Sequence, residues 1–89
     1  MSKTVWKFTL QWDTVLDLPE GARVLRVNEQ EGCVCLWALV DPQAPLEARH
    51  FVAFGTGHPI PDNLPLVFFG TVFLPGGLVI HVFEVVKGA

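Results

Sequence analysis

The chain has 89 residues, a single domain near the lower end of what folds alone, with 51% hydrophobic residues and a mean hydropathy of +0.42. Its formal charge is −3, and the basic residues (Lys3, Lys7, Arg23, Arg26, Arg49, Lys87) are scattered. That excludes a DNA-coating surface and a general pull toward anionic lipid, leaving room only for a small local anion site.

Residues 4–11 (TVWKFTLQ) alternate cleanly, with Trp6, Phe8 and Leu10 on one face and Val5, Lys7, Thr9 and Gln11 on the other, which predicts a strand. Trp12-Asp13-Thr14 interrupts, and 15–18 (VLDL) reads as a short second strand. Pro19-Glu20-Gly21 reads as a turn, with Pro presetting the first central position and Gly supplying positive φ. Residues 22–30 then set Arg23, Leu25 and Val27 against Val24, Arg26 and Asn28. Glu31-Gly32 turns the chain into 33–40 (CVCLWALV), an apolar run expected to be covered on both faces. The two prolines of 41–47 predict a loop or a single helical turn, followed by a strand over 48–54. After the segment FGTGHPIPD (54–62) come strands over 66–74 and 78–86. Between these two, Pro75-Gly76-Gly77 is the strongest hairpin signal in the chain. No stretch of ten residues carries a 3.6 period free of Pro and Gly. The fold class predicted is therefore all-β, an antiparallel sandwich or small barrel of six or seven short strands with little or no helix, as one domain over 1–89.

So much apolar side chain in so small a body cannot all be buried within one copy, and a homo-oligomer is expected. The N-terminus MSKTVWKF lacks the apolar core of a signal peptide, and no run approaches the roughly 18 apolar residues of a membrane span, so no membrane association and a cytoplasmic location are expected. Cys33 and Cys35 are the only cysteines. On a strand they share a face at about 6.5–7 Å, at or beyond disulfide reach, and no second cysteine pair completes a zinc set. They read as buried reduced thiols, with neither a metal nor a cofactor expected.

Gly55-Thr56-Gly57-His58 can turn successive backbone amides toward an anion, because glycine adopts the concave conformations that aim N–H groups inward. It is not a P-loop, since no Lys-Ser/Thr follows, nor a dinucleotide fingerprint. The alternative is architectural: a glycine bulge ending a strand, then a stiff corner in which Pro59 and Pro61 hold His58 and Ile60 extended. Exposed aromatics beside arginine hold a nucleobase and a phosphate together, which makes Trp12, at a strand end, and Arg23, Arg26 and Arg49 further candidates for a ligand site. Catalysis is not expected. The only serine is Ser2, no hydrolase or cysteine-protease signature exists, and the strand carrying His81 points Glu84 the other way.

At CLWALVDP (35–42), FGTGHPIPD and FFGTVFLPGGLVIHVFE (68–84) the chain resembles a family of small uncharacterised proteins encoded by tailed phages and by bacterial genomes carrying prophages. The likeness covers most of the chain, and the GTGHPIP and GTV-x-LPGGLV-x-H-VFE segments are specific in combination. What the resemblance implies is context, and no site residue is carried over from it. Small accessory phage proteins are often counter-defence factors in the host cytoplasm. The expectation is thus a non-enzymatic accessory protein that binds and sequesters a small nucleotide-like signal as a homo-oligomer. The alternative is an interaction module that inhibits a host defence protein, or a structural phage component.

Overall fold

The computed structural model describes residues 2–86, so Lys87 lies outside the described residues. Seven strands follow one another: β1 (Thr4–Leu10), β2 (Asp13–Pro19), β3 (Arg23–Gln30), β4 (Cys33–Val40), β5 (Leu46–Gly55), β6 (Leu66–Phe73) and β7 (Val79–Val85). They form two antiparallel sheets, ordered β1-β4-β3 and β2-β5-β7-β6, and no helix occurs among the described residues. The all-β expectation is met, with seven strands in two sheets. The second strand starts at Asp13 rather than Val15, because the corner is confined to Gln11 and Trp12. There Thr14 Oγ1 accepts from the Gln11 N–H (2.8 Å), and the Trp12 carbonyl accepts from the Ala53 N–H (2.9 Å).

The turns follow their glycines. Glu31 (φ 54°) and Gly32 (φ 81°) are both left-handed, the signature of a two-residue hairpin turn, and Glu29 Oε2 fastens it by accepting from the Gly32 N–H at 2.6 Å. In the turn after β2, Pro19 is the first of the four residues and not a central one, since its carbonyl accepts from the Ala22 N–H across Glu20 and Gly21. The β6–β7 hairpin closes on three residues, Pro75, Gly76 and Gly77, inside a Leu74 N–H to Leu78 carbonyl bond of 2.8 Å.

One face of each sheet turns inward. Trp6, Phe8 and Leu10 on β1 and Leu36, Ala38 and Val40 on β4 meet Leu18, Phe51, Val72, Ile80 and Val82 from the other sheet in one hydrophobic core. Two bulges tune this arrangement. On β3 the pairing with β4 slips between Val24 and Arg26, and on β6 the pairing with β7 slips between Phe68 and Gly70. The β3 bulge corrects the strict alternation read from sequence: Val24 and Val27 both pack toward the core, whereas Leu25 and Arg26 are both exposed. On β6, Phe69 turns in against Phe51, its ring centroid 6.1 Å away.

β3 lies against β6 although no ladder joins them. Gly70 allows the approach, since a Cβ built on it would stand 2.7 Å from Val27 Cγ2. Val27 is buried and β-branched, so it has little freedom to yield. Gly70→Ala is therefore expected to destabilise the protein by about 1–3 kcal/mol. In Gly70→Ala/Val27→Ala the two costs should fall clearly short of additive; urea unfolding of the four-member cycle measures this.

Candidate functional site

The segment 55–58 sits where β5 ends. Gly55 pairs with Ile80, the Thr56 N–H donates to the Val79 carbonyl (3.2 Å), and the His58 N–H returns to the Gly55 carbonyl (3.1 Å) across Gly57, whose φ is 86°. Two of the loop amides are thus engaged within the protein. The His58 ring lies over Gly55 so closely that a Cβ there would meet it at 2.9 Å. The Thr56 hydroxyl bonds His81 Nε2 at 2.8 Å, and Thr71 Oγ1 lies 2.9 Å from His81 Nδ1. His81 is therefore held between two hydroxyls, not beside a carboxylate.

Trp12 is 51% exposed and shares the end of the sheet that carries the loop. It borders an open cleft of about 390 Å³ whose walls include Leu10, Val34, Leu74, Leu78 and Ile80. Cys33 also lines this cleft and is exposed, so of the two free thiols only Cys35 is buried. The structure brings the loop and Trp12 to one end of the molecule, whereas the three arginines lie elsewhere.

Arg49 is committed to an internal pair. Its Nε and one terminal nitrogen donate to the two carboxylate oxygens of Glu84, both at 2.7 Å, and the other terminal nitrogen donates to the Ala22 carbonyl at 2.6 Å. The guanidinium also stands 5.8 Å from the Phe51 ring centroid. The hydrogen bond to Glu84 leads in holding the Arg49 pKa above the ordinary guanidinium value, with the charges of Glu84 and Glu47 adding to it; burial acts in the opposite direction. An open cleft of about 680 Å³ lies over the pair, but Glu47 and Glu84 outnumber the one arginine in its walls, so it repels anions.

Arg23 and Arg26 occupy the outer face of the three-stranded sheet. Register places Lys7, Trp37 and Arg26 side by side across β1, β4 and β3, with Val5, Leu39 and Arg23 in the neighbouring row. Trp37 escaped the sequence reading, because only the cross-strand register reveals its two basic neighbours. On the outer face of the other sheet the Phe83 ring centroid lies 6.0 Å from Phe54 and 5.4 Å from Phe68. His50 and Asp13 also meet there at 2.6 Å, both exposed, in a pair that is ionic only when the imidazole is protonated. The alternation in 48–54 and 78–86 holds the signal for this aromatic face, in Phe54 and Phe83. Among the described residues no three His, Cys, Asp or Glu side chains come together to hold a metal.

The buried pair yields a stability test. Glu84→Ala strands the Arg49 charge and is expected to cost about 3–5 kcal/mol, while Arg49→Met/Glu84→Leu should regain at least half of that loss in urea unfolding.

No curated protein and no solved structure matches the chain. A family model does match, over residues 1–89, under the description "Domain of unknown function (DUF7352)". The chain, a two-sheet β-domain with an internal Arg49–Glu84 ion pair and two contrasting outer faces, belongs to the DUF7352 family.

Proposed function

We propose that the protein is a non-enzymatic interaction module that works as a homo-oligomer, two copies meeting through the outer face of β2-β5-β7-β6. The observation that carries this reading is an uncovered aromatic sheet face. Phe73 is 72% exposed, Val15 62% and Phe68 55%, beside the half-buried rings of Phe54 and Phe83. Scattered apolar residues are ordinary on a surface, but a cluster of phenyl rings in edge-on and tilted contact, Phe54, Phe83 and Phe68, marks an association surface.

A second copy is the occupant that the chemistry of the face favours. The strand positions turned outward here hold neither Lys nor Arg, and the carboxylates, Asp13 and Asp17, are confined to the edge strand β2. Two such faces can therefore meet centre to centre without stacking like charges. Four strands about 4.8 Å apart, paired over six or seven positions of about 3.3 Å, give a footprint of roughly 400 Å² per copy, and the relief of the phenyl rings enlarges it. A pair of such faces totals roughly 800 Å² when taken as flat, below the roughly 1,000 Å² of a specific interface, so the relief of the rings has to supply the difference. The need for a partner also agrees with the hydrophobic excess of so short a chain.

The non-enzymatic part of the reading rests on where the histidines sit. His81 is bonded to two threonine hydroxyls, His58 rests on a glycine, and the His50–Asp13 pair has no hydroxyl or thiol partner among its hydrogen bonds. The resemblance to phage and prophage proteins supplies the proposed setting, a counter-defence accessory in the host cytoplasm that occupies a partner rather than converting a substrate. The internal engagement of Arg49 and of two loop amides favours the interaction module over a nucleotide pocket at 55–58.

Light scattering after size exclusion tests this. The wild-type protein is expected to elute as a dimer or higher oligomer at tens of micromolar, and Phe68→Ser/Phe73→Ser as a folded monomer. A wild-type monomer at those concentrations would sink the self-association. Retention of one stoichiometric host protein by that monomer, lost in the double variant, would replace the second copy with a host target.

A further inference from the structure

We infer that the outer face of β1-β4-β3 is a second, separate site that binds a nucleotide unit, with the base on Trp37 and phosphates on Lys7, Arg23 and Arg26. The inference goes beyond the proposed oligomer, since it concerns the opposite sheet, and it stands whether or not copies associate.

The first support is placement. Arg23 and Arg26 are three residues apart, and on a regular strand such residues point to opposite faces. The bulge at Leu25 cancels that, and register sets Arg23 opposite Leu39 and Arg26 opposite Trp37 on one face. Bulges re-aim side chains in this way next to working sites. Lys7 flanks Trp37 from the other side, so an aromatic residue on the central strand has a basic residue at the paired position of each neighbouring strand, the backbones about 5 Å apart.

The second support is charge. The protein as a whole is acidic, yet no outward position on these three strands holds a carboxylate: they read Val5, Lys7, Thr9 on β1, Cys33, Cys35, Trp37, Leu39 on β4, and Arg23, Arg26, Asn28, Gln30 on β3. Among the described residues, Lys7, Arg23 and Arg26 form no salt bridge, in contrast to Arg49. Unneutralised cations in an acidic chain focus potential on one spot, a local anion site on a molecule whose net charge repels nucleic acid elsewhere.

The third support is preorganisation. The Lys7 ammonium donates to Gln30 Oε1 at 2.8 Å, from β1 across β4 to β3, so the amide holds the charge over the sheet. Trp37 is half-buried, with its backbone paired on both sides. A backbone-paired aromatic beside a tethered lysine and two exposed arginines offers what sheet surfaces use to stack bases and track phosphates.

A base bearing phosphates comes from two sources, single-stranded nucleic acid or a free nucleotide, and two probes separate them. One is a fluorescein-labelled deoxythymidine decamer, read by anisotropy. The other is a pair of small nucleotides, ATP and cyclic di-AMP, read by calorimetry. Both use the full chain at low salt. At least one probe is expected to bind and to quench tryptophan fluorescence in a Trp6→Phe/Trp12→Phe background, where Trp37 alone emits. Arg23→Glu/Arg26→Glu changes exposed side chains only and should weaken binding by at least about tenfold, with the salt dependence of the affinity flattened by about one unit or more. His58→Ala should leave binding unchanged. Binding of the decamer alone assigns the site to single strands, and binding of the small nucleotides alone assigns it to free nucleotides. The inference is overturned by no binding of any probe at millimolar protein, by affinity insensitive to the arginine reversals, by loss in His58→Ala, or by binding without Trp37 quenching.

Discussion

Two bulges, at Leu25 in β3 and Phe69 in β6, set most of what is distinctive in this molecule. They lie on the two strands where the sheets approach without sharing a ladder, and there Gly70 presents bare backbone to the side chain of Val27. Phe69 turns into the core while Phe68 stays outside, and Val24 and Val27 turn in while Arg26 stays outside. One extra residue in each strand therefore fixes both how the layers meet and what each layer shows to solvent.

The core that results is simple, and among the described residues its polar element is confined. Arg49 and Glu84 face inward at the end of the core and satisfy each other bidentately, with Ala22 taking a further donor. Such a pair adds little net stability over apolar residues of the same volume, but removal of one partner is costly. That pairing engages within the protein an arginine that looks available in the sequence. The 55–58 segment follows the same logic: its glycine conformation serves a turn whose carbonyl and amide are paired, which fits the architectural reading of the loop.

The strands were legible because alternation and glycine-marked turns are local signals. TVWKFTLQ, CVCLWALV and the PGG hairpin each announce themselves within ten residues. The phase of β3 was not legible, since a bulge leaves no mark in composition, and Arg23 and Arg26 read as pointing apart. Nor could local sequence show that Trp37 lies between Lys7 and Arg26, because the three residues meet only through pairings of distant strands. Thr56, Thr71 and His81 are a similar case, assembled from a loop and two strands. Long-range register, not residue chemistry, was the missing information.

On this account the two outer faces have different fates: the aromatic one is covered by another copy, and the basic one with Trp37 remains open. Amide chemical shifts followed by NMR on dilution from about 500 to about 5 μM test that division most directly. The account predicts concentration-dependent shifts confined to β2, β5, β7 and β6, strongest around Phe54, Phe68 and Phe83, with the residues of β1, β4 and β3 unmoved. Shifts centred on Lys7, Arg26 and Trp37, or a spectrum that does not change with concentration and reports a monomer throughout, would contradict it.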